Sequence, residues 1–395
     1  MTDVYSDSVA LHQKFQGKLG VTALTSADTK EALSLLYTPG VAEPCRVIAK
    51  DPAQAYDLTW KGRTVAVVSD GSAVLGLGNI GPLAALPVME GKALLMKEFA
   101  DIDAVPIVLD TQNPAEIIQA VKNIAPTFAG INLEDISAPR CFQIEEALQD
   151  IGIPVFHDDQ HGTAIVVWAA LQNAAKVVNK PFETLNVVVV GAGAAGMAIT
   201  KMLLGLECVA DACARLPEHA SVADVIVVDS KGAIVRGRSH QNIYKQAIAA
   251  LSNKNQKAGE LADVIQGADV VIGVSGPRVI TAEMIKTMAE KSIVFAMANP
   301  VPEIMPAEAL AAGAFIVASG RSDFANQINN VLAFPGIFKA VVHGRLKKLD
   351  LNMKYAAALA IAKLVSQPDQ THIVPSPFEP GLAEAVSQAV LSQIS

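Results

Sequence analysis

Short apolar runs alternate with longer stretches of helical character from residue 64 onward. The strand-like runs of the first series cover residues 64–68, 103–109, 128–133 and 153–156. The stretches between them, at residues 83–99, 114–124 and 140–150, are predicted to be helical. Strands that alternate with helices are typical of a mostly parallel sheet covered by helices. We therefore predict an α/β fold.

A glycine-rich turn opens a second series of strand-like runs, at residues 185–190, 225–228, 268–274, 292–296 and 314–318. The turn has the form G-x-G-x-x-G, follows the first of these strands and leads into an apolar helix. It consists of Gly191, Ala192, Gly193, Ala194, Ala195 and Gly196. Glycines let the backbone approach a pyrophosphate, and the helix N-terminus meets its charge. The turn predicts a site for a dinucleotide, NAD or NADP.

Asp229 ends the next strand and is the candidate for binding the ribose hydroxyls of the dinucleotide. It lies farther from Gly196 than the roughly 20 residues that are usual for this motif. We attribute the extra length to a surface insertion within residues 207–220. At the ends of later strands, Ser275 and Asn299 are expected to line the cofactor cleft, where backbone comes close to a ligand.

A second G-x-G-x-x-G lies at residues 76–81 and is not predicted to bind the dinucleotide. Pro82 and Pro87 interrupt the helix that would carry the pyrophosphate, and no strand ending in an acidic residue follows at a suitable distance. We expect it to shape a wall of the active cleft.

The sequence predicts two domains with mostly parallel sheets, together with N- and C-terminal helices. Residues 1–60 are predicted to form short helices broken by turns. The predicted boundaries are 1–158 for the first domain, 159–330 for a Rossmann-type dinucleotide-binding domain, and 331–395 for helices that pack back on the first domain.

Two acidic pairs follow neighbouring strands of the first series, Glu134 with Asp135 and Asp158 with Asp159. Four carboxylates brought together would repel one another unless a cation lies between them. Oxygen ligands without nearby cysteines favour Mg²⁺ or Mn²⁺. The alternative is structural: acidic residues often end strands, and Asp159 could cap the helix that follows.

Tyr37 and Lys92 have ordinary structural explanations when each is considered alone. Tyr37 precedes a Pro-Gly turn and would pack there, with its hydroxyl on the backbone. Lys92 on a helix would be a solvated charge. Its apolar neighbours favour burial instead, and a buried lysine near a metal would have a lowered pKa and could act as a base.

Composition narrows the class of protein. The chain has 395 residues, of which 51% are hydrophobic and 18% charged, and a net charge of −8. Nucleic acid and membrane surfaces are therefore not expected as partners. Cysteines at positions 45, 141, 208 and 213 form no C-x-x-C pair, so we expect reduced thiols in the cytoplasm. The N-terminus shows no signal peptide, and no apolar run is long enough to span a bilayer.

Taken together, these segments resemble the malic enzymes in their short bacterial form. The resemblance rests on residues 37–42, 69–71, 75–78, 87–92, 132–135, 156–163, 191–196, 229–232, 298–300, 329–330, 334–336 and 375–378. It implies oxidative decarboxylation of L-malate to pyruvate and CO₂, with NAD or NADP and with Mg²⁺ or Mn²⁺. It also implies a homodimer.

The resemblance assigns roles to single residues. Glu134, Asp135 and Asp159 look like the metal ligands. Lys92 resembles the general base, with Asp158 as its carboxylate partner, and Tyr37 the general acid. Asn299 and Asn329 look like substrate-binding residues, as does Lys92, with Asn299 also close to the nicotinamide.

Some family features are absent or ambiguous. Larger members carry an arginine after the Asp-Gly turn to bind substrate carboxylate, whereas this chain has Ser72 and Ala73 there. Asp229 favours NAD, while Ser230 and Lys231 could accept the 2′-phosphate of NADP. Which subunit supplies Tyr37 is left open by the sequence. A metal-independent dehydrogenase and a non-catalytic dinucleotide sensor are the competing hypotheses.

Overall fold

A computed structural model describes residues 3–209 and 212–394 of the chain. Four parallel strands form the first sheet, in the order β2-β1-β3-β4. They are β1 (Thr64–Ser69), β2 (Asp103–Val108), β3 (Gly130–Leu133) and β4 (Val155–His157). β1 and β3 are buried along their whole length, as their continuous apolar sequences predict for central parallel strands.

The second sheet has six strands in the order β12-β11-β10-β5-β8-β9, all parallel except the short β9. A separate hairpin pairs β6 with β7. These strands are β5 (Asn186–Val190), β6 (Leu206–Val209), β7 (Ala212–Arg215), β8 (Asp224–Asp229), β9 (Gly232–Ala233), β10 (Val270–Gly273), β11 (Ile293–Ala296) and β12 (Ile316–Ser319). The two parallel sheets confirm the predicted α/β fold.

Helices surround both sheets and form both ends of the described chain. In chain order they are α1 (Val4–Phe15), α2 (Lys30–Leu36), α3 (Ala42–Lys50), α4 (Ala55–Leu58), α5 (Pro82–Ala100), α6 (Pro114–Ile124), α7 (Arg140–Glu146), α8 (Asp158–Val178), α9 (Ala194–Leu203), α10 (Ile243–Leu251), α11 (Leu261–Val264), α12 (Ala282–Lys286), α13 (Pro306–Ala311), α14 (Phe334–Gly344), α15 (Leu351–Leu364) and α16 (Leu382–Leu391). α8 is buried on most sides and packs against β4, α9 and α15. α14 packs against α5 and β3. The exact domain boundaries stay predictions.

Pro87 does not interrupt α5, which is a correction to the sequence analysis. The helix runs unbroken from Pro82, at its first position, to Ala100. Pro87 removes a hydrogen bond to the carbonyl of Leu83. Because Leu83 lies in the first turn and is 79% exposed, water can satisfy that carbonyl at small cost.

The hairpin of β6 and β7 occupies the predicted surface insertion and corrects the expectation for the cysteines. Cys208 and Cys213 face each other in its antiparallel register and form a disulfide. Directly opposite residues bring their Cβ atoms close together, which permits this bond. The expectation of reduced thiols is therefore wrong for this pair. Cys45 and Cys141 are free, Cys45 at the surface and Cys141 in the core.

The N-terminal helices bury little within the single chain. None of the four helices between residues 4 and 58, all of them described, contains a buried residue. Lys18 attaches the segment to α5 by donating from its backbone N to Glu90 and from its Nζ to the carbonyl of Pro87. Within residues 3–209 and 212–394, no helix is long and apolar enough to cross a membrane.

Candidate active site

The acidic pairs lie together at the carboxyl ends of β3 and β4. The two strands are parallel neighbours in which Leu133 pairs with His157. Glu134 and Asp135 follow β3, while Asp158 and Asp159 form the first turn of α8, whose N-terminus favours negative charge. His157, not Asp159, is the N-cap of α8, so Asp159 lies within the helix and does not cap it.

Three of the four carboxylates form a compact cluster. One oxygen each of Glu134, Asp135 and Asp159 lie within 4.8 Å of one another. The backbone N of Asp135 donates to Asp159 Oδ2 at 2.8 Å, which links the two strand ends. Asn132 donates to Glu134 Oε2 at 2.7 Å and fixes the orientation of that carboxylate.

Lys92 reaches this cluster from α5 and is 7% exposed. Its Nζ lies 2.5 Å from Asp158 Oδ2 and 2.9 Å from Glu134 Oε1. The ammonium also lies over the ring of Phe334, 4.2 Å from its centroid. Asn330 donates to the same Asp158 oxygen at 2.5 Å. Asp158 is thus a buried carboxylate that holds Lys92 in place.

Burial and mutual repulsion raise the pKa values of three acidic groups, Glu134, Asp158 and Asp159. Burial raises the pKa of Asp158 to about 7 and that of Asp159 to about 6, with the charges of Glu134 and Asp158 respectively adding to the effect. Burial also raises the pKa of Glu134. Burial is the largest cause of each shift, and repulsion between the carboxylates adds to it while the charge of Lys92 opposes it.

The pKa of Lys92 is raised in the protein without a metal. Burial lowers it, but the charges of Asp158 and Glu134 outweigh burial and raise it above its usual value. The prediction of a lowered pKa concerned Lys92 beside a bound metal, so it stays a prediction. It assumed that a cation would offset the neighbouring carboxylates.

The cluster fits a divalent cation by its chemistry. All three close groups are carboxylates, so the donors are hard oxygens. The raised pKa values of Glu134 and Asp159 mean that added positive charge would be favourable there. No cysteine or histidine supplies one of these three donors, which disfavours zinc. The three residues named as metal ligands from the sequence are the residues that form the cluster.

A cavity of about 860 Å³ opens in front of Lys92 and the cluster. The predicted site residues that line it are Lys92, Glu134, Asp135, Asp159, Ala195, Ser275, Asn299 and Asn329. Gly76 from the weaker glycine motif also lines it, and a side chain at Gly76 would overlap the carbonyl oxygen of Asn299. That motif is indeed part of the cavity wall.

Tyr37, the predicted general acid, lies outside this cavity in the single chain. It caps the C-terminal end of α2, is 68% exposed, and is not among the residues that line the cavity. The short N-terminal helices do not pack it against the site.

A second cavity, of about 680 Å³, borders the start of the glycine-rich turn after β5. Its lining includes Gly191, Ala192, Asp229, Ser230, Lys231 and Ser275. Gly191 has a φ of 120°, which favours glycine, and a side chain at Gly196 would overlap the Gly191 carbonyl oxygen. Gly193 faces open space, where a pyrophosphate could approach. Ser275 borders both cavities, so a bound dinucleotide could extend from one into the other.

Some of the residues that shape the site were missed in the sequence analysis. Asn132 could have been found, because it precedes Glu134 by two positions on a strand and so shares its face. Asn330 contacts Asp158 and Phe334 contacts Lys92, and no local pattern points to either contact across so long a stretch of sequence. Glu303 was also missed: its buried carboxylate accepts from the backbone N of Ser275 at 2.8 Å and of Ala298 at 3.0 Å.

A glycine-turn dinucleotide fold that opens onto a buried lysine and a carboxylate cluster defines a nicotinamide-dependent oxidoreductase. The model of the NAD-binding domain of malic enzymes matches residues 160–390, and that of their N-terminal domain matches residues 16–116 and 111–149. The chain belongs to the malic enzyme family.

Individual relatives resemble the chain over nearly its whole length. An NAD-dependent malic enzyme of Geobacillus stearothermophilus is 53% identical over 95% of this chain and 76% of its own. An NADP-dependent malic enzyme of Halomonas elongata is 45% identical over 95% of this chain and 89% of its own. The crystal structure of an NAD-dependent malic enzyme from Thermotoga maritima has a TM-score of 0.91 at 47% identity, covering 99% of both chains.

Proposed function

We propose that this protein oxidatively decarboxylates L-malate to pyruvate and CO₂ while reducing NAD or NADP, and that it requires Mg²⁺ or Mn²⁺. The observation that carries the proposal is the position of Lys92. It is held by Asp158 and Glu134 at the edge of the carboxylate cluster, and it faces a cavity that meets the dinucleotide cavity at Ser275.

Glu134, Asp135 and Asp159 would hold the cation. Bound there, a divalent cation would supply Lewis-acid chemistry, polarising a substrate oxygen and stabilising developing negative charge. With Glu134 holding the cation, Lys92 would keep only Asp158 of the two carboxylates that raise its pKa. Lys92 can then take the hydroxyl proton of malate, while Asp158 keeps its Nζ in position.

Asn299 and Asn329 line the cavity and would orient the substrate through their amide groups. Asn329 is itself fixed, because its Oδ1 accepts from the backbone N of Val331 at 2.9 Å. Hydride then passes from C2 to the nicotinamide, giving oxaloacetate, and decarboxylation leaves enolpyruvate. An acid is needed to protonate C3 of enolpyruvate.

We propose that Tyr37 is this acid and that a second copy of the chain supplies it. Tyr37 is exposed, and the helices around it contain no buried residue within the described range 4–58. Apolar side chains exposed there, such as Val21 at 95% and Leu24 at 77%, would be covered in a homodimer.

Initial rates with L-malate test this function. We expect NADH or NADPH to form only with Mn²⁺ or Mg²⁺ present, to stop on addition of EDTA, and to resume with excess Mn²⁺. Turnover that is unaffected by EDTA would favour the metal-independent dehydrogenase. No malate-dependent reduction of either cofactor would reject the proposal.

A further inference from the structure

A third cavity, of about 360 Å³, lies among helices that come from both predicted domains. Its lining comes from α7, α8, α9, β6, α10 and α15. None of the described residues that line it also lines the carboxylate cavity or the cavity of the glycine-rich turn. A ligand bound there would therefore occupy a site separate from those proposed for malate and the dinucleotide.

One wall of this third cavity is apolar. Phe142, Met202, Leu206 and Leu349 line it, and each of these side chains is buried. The ring of Tyr244 lies against that of Phe142, with 4.8 Å between the ring centroids. This wall can cover an apolar group of a ligand and remove it from water.

Two lysines line the cavity without a partner among the described residues. Lys201 comes from α9 and Lys354 from α15. Neither forms a hydrogen bond or an ion pair with a group in residues 3–209 or 212–394. The ammonium of Lys201 lies 5.9 Å from the centroid of the Phe142 ring. Burial lowers the pKa of both lysines, so an anion beside them would be favourable.

The buried carboxylate of Glu145 also lines the cavity, but it has other partners. Its Oε1 accepts from His161 Nε2 at 2.7 Å, and its Oε2 accepts from Gln160 Nε2 at 2.8 Å. No ion pair joins it to Lys201 or Lys354 in the described part of the chain. The two ammonium groups are therefore available to a ligand.

Further acidic side chains line the cavity where it meets solvent. Asp150 and Glu207 are both exposed there. In all, five carboxylates line the cavity, those of Glu145, Glu146, Asp150, Glu207 and Asp350. They outnumber the two lysines even when His161 is counted as a cation. A purely anionic ligand would be repelled by this excess, whereas a ligand with one negative and one positive group can meet both kinds of side chain.

We propose that this cavity binds an α-amino acid with an apolar side chain. Lys201 and Lys354 bind its carboxylate, Asp150 and Glu207 attract its ammonium group, and the apolar wall beside Phe142 covers its side chain. The volume is within the range of roughly 300 to 1,000 Å³ that is usual for small-molecule sites. Neither malate nor the dinucleotide takes part, so the proposal does not depend on the proposed function.

Calorimetric titration with L-phenylalanine, L-leucine and L-methionine tests the proposal without any turnover. We expect at least one of them to bind in a ratio of one per chain with a Kd of about 1 mM or tighter, as is reasonable for so small a ligand. Two analogues of L-phenylalanine lack one charge each: 3-phenylpropionate has no ammonium group, and 2-phenylethylamine has no carboxylate. Each should bind about tenfold more weakly than the amino acid.

Lys201→Met and Lys354→Met should each weaken amino-acid binding by about tenfold, since each removes one charge-assisted contact and keeps an unbranched side chain. The matched control is Lys363→Met, which replaces an exposed lysine of α15 outside the cavity and should leave binding unchanged. The double variant Asp150→Asn with Glu207→Gln should bring L-phenylalanine and 3-phenylpropionate to similar affinities, because the ammonium group then gains little.

Absence of binding by all three amino acids up to about 10 mM would overturn the proposal. Equal binding of L-phenylalanine and 3-phenylpropionate by the wild-type protein would overturn it too, since the site would then accept a simple anion. So would undiminished binding in both lysine variants, with folding checked by circular dichroism. Malate turnover enters none of these measurements, so their failure is distinct from failure of the proposed function.

Discussion

At the scale of single residues, Lys92 combines burial, two carboxylate partners and an aromatic neighbour. Asp158 and Glu134 hold its ammonium, and Phe334 covers it. The geometry places one proton-transfer group beside the carboxylate cluster. The acidic pairs and Lys92 could be predicted because each stands out from an apolar local sequence. Phe334 could not, since its contact with Lys92 depends on how α14 packs against α5. Asn330 could not either, since its contact with Asp158 on α8 joins distant parts of the chain.

Lys92→Ala should lower malate turnover by about 10²- to 10⁴-fold, the usual contribution of a general acid or base. Binding of the nicotinamide cofactor should be retained, because Lys92 lies outside the cavity of the glycine-rich turn. Lys97→Ala is the matched control: Lys97 lies on the same helix and pairs with Asp101 and Asp103 at the surface. Wild-type turnover in Lys92→Ala would show that Lys92 is not the general base.

Metal affinity should fall as pH falls, because the pKa values of the carboxylates are raised. The pKa of Asp159 is about 6 and that of Asp158 about 7, so protons compete for the cluster at acidic pH. We expect Mn²⁺ affinity to fall by about tenfold or more from pH 7.5 to 5.5. Because the folded-state pKa values lie above the unfolded ones, the metal-free protein should become less stable as pH rises through this range. An Mn²⁺ affinity that is constant over the same range would contradict the raised pKa values.

At the scale of elements, the site residues lie at the carboxyl ends of strands, and Glu303 connects the ends of β10 and β11. Its carboxylate accepts from the loops that follow β10 and β11, and Gly273 leaves room for it, because a side chain there would overlap the Glu303 carboxyl group. The strands themselves could be predicted from continuous apolar runs. Glu303 could not, because nothing in its local sequence indicates that a buried carboxylate lies there.

Glu303→Gln should loosen both loops, since the amide can replace only one of the two acceptor oxygens. A cost of about 1 to 3 kcal/mol in the free energy of unfolding is expected for a buried donor left unpaired. We also expect a several-fold rise in the KM for the cofactor, because Ser275 borders both cavities. Glu308→Gln, at an exposed position of α13, is the control. Unchanged stability and KM in Glu303→Gln would show that the loops do not depend on this carboxylate.

The hairpin of β6 and β7 gives a direct chemical prediction. The chain has four cysteines, and two of them form the disulfide between Cys208 and Cys213. Thiol titration of the protein unfolded without reductant should therefore detect two thiols, rising to four after reduction. Four thiols before reduction would mean that the pair is reduced, as the sequence analysis expected. The search for C-x-x-C spacing missed this pair, because a hairpin can join cysteines at other spacings.

At the scale of the whole molecule, the two sheets place the carboxylate cluster and the glycine-rich turn beside adjoining cavities. The order of strands and helices sufficed to predict this α/β architecture. For the N-terminal segment, the sequence predicts the helices themselves but not the surface against which they pack. Within the described range 4–58 these helices contain no buried residue, so a single chain does not supply their packing partner.

Mixing two inactive variants tests whether Tyr37 acts on a second copy. A dimer of one Tyr37→Phe chain and one Lys92→Ala chain would contain one intact site if Tyr37 acts in trans, and none if it acts within its own chain. After unfolding and refolding of an equal mixture, we expect about a quarter of wild-type activity, since half of the dimers are mixed and each has one intact site. Activity no higher than that of either variant alone would place Tyr37 in its own chain's site.

Binding of Mn²⁺, followed by the electron paramagnetic resonance signal of the free ion, tests the carboxylate cluster most directly. The wild-type protein should bind Mn²⁺ in a ratio of one per chain and oxidise malate only when it is bound. Asp159→Asn should lose both properties, whereas Asp110→Asn, at the exposed carboxyl end of β2, should keep both. Undiminished Mn²⁺ binding and malate oxidation in Asp159→Asn would contradict the account.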